Sequence, residues 1–126
     1  MSFILSAEAA AAFDTLTRSG LDDTLVRQQR HAWPNVFRAA RFIPAVEYLQ
    51  ANRLRTLLIA GIEEMFSEQS LDVLLAPCFS GAQLLATNLS GHPSLVFPVG
   101  LDDEGMPLGL CLIGKPFHEG QLLTAA

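Results

Sequence analysis

A change of hydrophobic period near Ser70 constrains the fold more than any other feature of this chain. Upstream of it Val46, Leu49, Leu54, Leu57, Leu58, Ile62, Met65 and Phe66 recur largely at three- and four-residue steps, which lines them along one stripe of an α-helix. Pro44 suits the first turn of that helix, where a missing N–H costs nothing, so the spacing predicts a long amphipathic helix from about Pro44 to about Glu68. Downstream, Val73-Leu74-Leu75-Ala76 is a continuous apolar run stopped by Pro77, the pattern of a strand buried on both faces. A helix that feeds a buried strand is one packing unit. The whole chain, 1–126, is therefore expected to form a single α/β unit, helical over 1–69 and built of strands and turns over 70–126.

The remaining elements follow from local signals. Ser94 to Val99 and Leu108 to Ile113 are two apolar runs joined through Asp102-Asp103-Glu104-Gly105, which is turn chemistry and predicts an antiparallel hairpin. His118-Glu119-Gly120 followed by Gln121-Leu122-Leu123 reads as the first turn of a further helix. At the other end, Ser6 is expected to cap a helix that carries Glu8 in its first turn and runs to about Arg18, where Ser19-Gly20 ends it. A second helix is expected to open at Asp22 or Asp23 and continue toward His31, before Pro34 interrupts it. Arg53, Arg55, Glu63 and Glu64 of the long helix would project to solvent or to another part of a larger protein. The architecture expected is helices packed on a partial mixed sheet with an antiparallel hairpin.

Composition excludes several functions. A net charge of −5 argues against nucleic acid as a main ligand, because phosphate binding rests on Lys and Arg. Arg27, Arg30, Arg38, Arg41, Arg53 and Arg55 do crowd the first half, but without interleaved stacking aromatics they read as an ion-paired helical surface. Cys78 and Cys111 are the only cysteines and no basic n-region precedes an apolar h-region, so a reduced, cytoplasmic protein is expected. Asn88-Leu89-Ser90 matches a glycosylation sequon that has no meaning without secretion. No run of membrane-spanning length is free of Gly, Pro and charge. His31, His92 and His118 share no metal-ligand spacing with the cysteines, and neither a metal nor a cofactor is expected. Hydrophobic residues make up 50% of the chain and charged ones 17%, a balance that suits a surface awaiting a partner.

An ordered series of short segments then carries a family resemblance. It comprises Arg41-Phe42-Ile43-Pro44-Ala45-Val46-Glu47-Tyr48, Asp72-Val73-Leu74-Leu75-Ala76-Pro77, Thr87-Asn88-Leu89-Ser90-Gly91-His92-Pro93, Pro98-Val99-Gly100, Gly105-Met106-Pro107-Leu108-Gly109, and Ile113-Gly114-Lys115-Pro116-Phe117 ahead of Glu119 and Leu122-Leu123. From about Phe37 to Leu123 the chain resembles the C-terminal region of the amidase signature family, which includes bacterial amidases and the A subunit of the glutamyl-tRNA amidotransferase. The resemblance implies the C-terminal part of that fold, and a full-length activity of carboxamide C–N hydrolysis or ammonia transfer. It also implies a nucleophilic serine activated through a second serine by a lysine, since a neutral alcohol needs a base to take its proton, together with backbone donors for the oxyanion.

Neither part is in this chain. No two serines are adjacent, and the single lysine, Lys115, lies in Ile-Gly-Lys-Pro-Phe, where the family has a basic surface residue. No catalytic residue is therefore assigned, and the catalytic half is expected upstream in family order. The resemblance places Pro77-Cys78-Phe79 and Thr87 to Pro93 beside the catalytic core, so Cys78, Phe79, Thr87 and Asn88 are the candidate cleft-wall residues for a small amide ligand. Against that role, Cys78 reads as a packed, unreactive thiol, and Thr87 and Asn88 as residues that close turns on their own backbone. The expected partners are an upstream amidase half or a second copy of the chain. The alternative is a non-catalytic interaction module that kept the fold and binds through its sheet edge and helical face.

Overall fold

The computed structural model describes residues 2–78 and 81–126. Its elements in order are α1 (Ser2–Ala12), α2 (Asp14–Arg18), a 3-10 turn (Leu21–Thr24), α3 (Trp33–Ala40), α4 (Ala45–Glu68), β1 (Val73–Pro77), α5 (Gly81–Ser90), β2 (Ser94–Leu101), β3 (Pro107–Gly114) and α6 (Glu119–Ala125). Two compact units divide the chain, Met1–Leu54 and Arg55–Ala126. Their boundary lies inside α4 rather than at the helix-to-strand switch near Ser70, because the last turns of α4 pack with the strands that follow. No helix among the described residues is long and apolar enough to cross a membrane.

The first unit is helical. Ala10, Phe37 and Ala40 form its buried centre, with Ala9, Leu16 and Ile43 packed against them. Phe37 stacks between two rings, its centroid 5.1 Å from that of Phe13 and 5.6 Å from that of Trp33. Helix α1 starts four residues before the expected cap, so Ser6 lies within it rather than at its N-cap; the additional turn buries Ile4 completely. The helix expected from Asp22 toward His31 is also absent, and only the 3-10 turn forms there. Side chains take the carbonyls a helix would use: Gln28 Nε2 donates to Asp22 O (2.9 Å) and Leu25 O (2.8 Å), and Asn35 Nδ2 donates to Gln28 O (2.9 Å) and Gln29 O (3.1 Å). Such side-chain bonds compete with the helical ladder. Pro34 opens α3 instead of ending a helix.

Ion pairs knit this unit together. Asp22 is buried and meets Arg38 Nη2 at 2.6 Å, and Asp23 meets the same nitrogen. Partial burial lowers the Arg38 pKa, but the hydrogen bond to Asp23 and the charge of Asp22 outweigh it and leave the guanidinium above its usual range. Asp14 pairs with Arg18 and with Arg41; the Arg18 hydrogen bond, and then that of Arg41, hold its carboxyl below the ordinary range. Arg38 and Arg41 of the arginine stripe are thus ion-paired surface, as the sequence led us to expect.

The second unit is α/β. Strands β2 and β3 form the expected hairpin, in register from Ser94↔Ile113 to Leu101↔Pro107 with a bulge between Pro98 and Gly100. Its turn is closed by Asp102, whose Oδ1 accepts from the Glu104 N–H (2.9 Å) and the Met106 N–H (2.8 Å). Strand β1 pairs with the other side of β3, giving the order β1-β3-β2. Both pairings are antiparallel, so the mixed pairing expected of the sheet is not found among these three strands. Phe66, Ala76, Cys111 and Ile113 form the core between α4 and one sheet face, and α6 covers part of the other.

Two corrections concern burial and helix content. Strand β1, expected to be buried on both faces, lies at a sheet edge with Leu75 57% exposed. The segment 81–90, within the region expected to hold strands and turns, is the helix α5. Of the charges on α4 expected to project to solvent or to another part of a larger protein, Arg55 donates from Nε to Leu89 O at 2.5 Å, and Glu63, still partly exposed, lies against His92. Along the apolar stripe itself, Val46, Leu49, Leu54 and Leu57 are exposed while Phe66 is sealed.

Candidate functional site

The expected site residues fall around the end of β1, α5 and the start of β2. Cys78 follows the last residue of β1 and is half-buried. Continuing the register of Pro77 with Leu110 sets Cys78 opposite Gly109, and a Cβ on Gly109 would come within 2.9 Å of Cys78 Sγ. The glycine is what lets the thiol lie over β3. Phe79 lies outside the described residues.

Cys78 sits at the junction of two cavities. One, of about 130 Å³, is lined by Cys78, Gln83, Leu84, Ser94, Val96 and Cys111. The other, of about 390 Å³, also has Cys78 and Val96 in its wall, together with Pro98 and Leu108. Gln83 is the one amide in the smaller cavity, and sequence reasoning passed over it. Its Nε2 donates to Thr87 Oγ1 (3.4 Å) and lies 3.9 Å from Cys111 Sγ. The structure therefore brings Cys78 and Gln83 into one cavity and ties Thr87 to Gln83. Thr87 itself is buried, and its hydroxyl lies 3.2 Å from both Gln83 O and Leu84 O one turn back. It supports the helix and does not sit in the loop in which it was expected. Asn88 is exposed on α5 and lines neither cavity. This arrangement can wall an apolar group and offer it an amide.

A second cluster was not expected from the sequence. His92 is buried, its ring stacked on Phe66 with centroids 5.9 Å apart. Its Nδ1 is 2.7 Å from Ser90 Oγ and its Nε2 is 3.3 Å from Glu63 Oε1. The latter contact is close but not aligned as a hydrogen bond, so Nε2 has no hydrogen-bond partner among the described residues. Serine, histidine and carboxylate in a row suggest nucleophilic catalysis, yet the surroundings oppose it. Ser90 ends α5, where carbonyls and the negative end of the helix dipole would repel an oxyanion. The N–H of Gly91, the residue after Ser90, is taken by Thr87 O at 2.9 Å. We read the cluster as a lock that fixes the α5–β2 turn onto α4. Its only sequence trace is a histidine between Gly91, whose φ of 77° ends the helix, and Pro93. Among the described residues, no three His, Cys, Asp or Glu side chains gather to hold a metal ion.

No family model matches the chain. Among curated proteins it is similar to the glutamyl-tRNA(Gln) amidotransferase A subunit of Acaryochloris marina, 35% identical in an alignment of 98 positions, with 63% of this chain and 20% of that protein covered. The corresponding A subunit from a Jannaschia species is 34% identical over the same length and the same shares. Among solved structures, an amidase family protein from Bacillus anthracis matches with a TM-score of 0.61 and 24% identity, covering 69% of this chain and 18% of that one. The chain thus spans about a fifth of the length of the relatives it matches.

Proposed function

We propose that this chain, a partial homologue of the amidase signature family, supplies the non-catalytic C-terminal section of an amidase-type amidohydrolase. It completes the sheet and part of the substrate cleft of a catalytic section that hydrolyses a carboxamide or transfers its ammonia. One observation carries this reading: a stretch related to a fifth of a longer protein has no adjacent serines, and its single lysine, Lys115, makes no hydrogen bond to a serine among the described residues. The cavities at Cys78 support a wall for the amide's apolar part, with Gln83 as its polar contact. An amide needs an activated hydroxyl and oxyanion donors to be cleaved, and both would come from the other section.

The test is activity with and without that section. The purified chain should leave benzamide and glutamine intact, and co-expression with the Bacillus anthracis amidase family protein lacking its matching section should yield amide hydrolysis. Hydrolysis by the chain alone that survives rigorous purification would overturn the reading. A second reading, a self-associating module, is favoured by exposed Leu57, Val96 and Leu101 in the second unit. It predicts a stable dimer and no activity with any complement.

A further inference from the structure

Among the described residues both outer strands of the three-stranded sheet have a side with no strand paired to it, but they are not alike. Strand β2 carries Pro98, which has no N–H to give, then a bulge at Val99 and Gly100. Prolines and bulges are the devices that keep an edge strand from pairing. Strand β1 is Val-Leu-Leu-Ala-Pro, without charge or bulge, and with proline only at its last position. Among the described residues its backbone makes no hydrogen bonds outside the ladder with β3. At its centre Leu75 pairs with buried Leu112, yet is itself more than half exposed.

We infer that the outer edge of β1 is the side on which this chain receives another strand, and that the strand belongs to the amidase-type section proposed above. The inference rests on that reading for its occupant and on the contrast between the two edges for its place. The matched amidase contains this fold within 18% of its chain, so most of such a protein is available to continue the sheet and cover Leu75. A second copy fits less well. A five-residue strand spans roughly 17 Å, and pairing two of them falls well short of the roughly 1,200–2,000 Å² that stable interfaces bury.

The experiment compares Leu75→Lys with Val99→Lys, a matched charge placed on the bulged edge. Each full-length chain is co-expressed with the Bacillus anthracis amidase family protein lacking its matching section, and complex formation and amide exchange over 73–77 are measured. Wild type and Val99→Lys should form a one-to-one complex with exchange slowed at 73–77, while Leu75→Lys should bind about a hundredfold more weakly because it buries an unpaired charge. Exchange of the free variants shows whether the sheet itself is intact. A complex that ignores Leu75→Lys, or that leaves 73–77 unprotected, refutes the β1 edge but leaves the proposed function standing. Loss of the complex with Val99→Lys alone would move the docking edge to β2. A homodimer dissolved by Leu75→Lys would refute the occupant, and no complex in any combination would overturn both proposals.

Discussion

Phe66→Ala should be the most damaging single substitution in the second unit. The ring is fully buried, packs with Ala76, Cys111 and Ile113 and against Ile62, Met65, Leu71 and Leu74, and carries the stacked ring of His92. A buried aromatic removes roughly 150–250 Å² from water, which at about 25 cal/mol per Å² is about 4–6 kcal/mol as an upper figure. Alanine keeps part of that area, and Phe→Ala in packed cores costs about 3–5 kcal/mol. Against the roughly 5–15 kcal/mol by which domains are stable, this is about a fifth of the total or more. Fluorescence of the sole tryptophan, Trp33, reports on the first unit, so amide exchange at Cys111, Leu112 and Ile113 is the appropriate measure. Exchange there should accelerate by about a hundredfold to a few thousandfold, since each 1.4 kcal/mol is about a factor of ten. Phe66→Leu, which fills most of the volume, should cost far less. An acceleration below about fivefold for Phe66→Ala, or equal effects of the two variants, would refute the placing of this ring at the centre of the core.

Gly114→Ala should loosen α6, because the new Cβ would stand 2.9 Å from Leu122 Cγ and 3.2 Å from both its methyls while Leu122 is itself buried. Overpacking of this kind costs about 1–3 kcal/mol, and the penalty should shrink in a Leu122→Ala background when the melting transitions of the four proteins are compared. Acid should weaken the first unit through Asp14. Its carboxyl is held below the ordinary range by Arg18 and Arg41, so its stabilisation is complete above the ordinary aspartate pKa of about 3.9 and is lost as pH falls from there through the lowered folded value. Asp14→Asn should remove that part of the acid dependence in Trp33-monitored unfolding, and an unchanged acid limb would count against the pairing.

The elements legible in the sequence are those whose signals are local and agree with one another. Pro44 and the apolar stripe place α4 to within a residue of Ala45–Glu68, and the Asp102 turn sets the β2–β3 register. Segment 81–90 misleads because two local codes conflict there. Gln83 with Thr87, and Leu85 with Leu89, lie four apart as a helix requires, but Thr87-Asn88-Ser90-Gly91 is also turn vocabulary. In the structure those residues do terminate something, the end of α5 itself: Thr87 O accepts from the Gly91 N–H and from the Ser90 hydroxyl at 3.4 Å. The candidate site is obscured in the same way, since Gln83 enters it only through that unrecognised helix. His92 is hidden for a different reason. Its burial comes from Phe66, 26 positions back along the chain, and no short-range pattern reports a contact of that separation.

Strand β1 is the instructive disagreement. Its five residues have the composition of a strand covered on both sides, and in this chain the central one is open to water. Local sequence codes for an environment, not for the neighbours that provide it, so the pattern and the exposure can both be true at once. β2 shows the alternative: its pattern includes Pro98 and a bulge, the marks of a strand that ends a sheet. If β1 were meant to end the sheet as well, replacing Leu75 by a charge should be neutral or favourable to solubility in every setting. If it is meant to lie inside one, the same replacement should be tolerated in the free chain and costly only once a further strand is supplied. That difference between two settings cannot arise from damage to the isolated fold, which makes the β1 edge the point at which the proposed origin of this chain is most open to refutation.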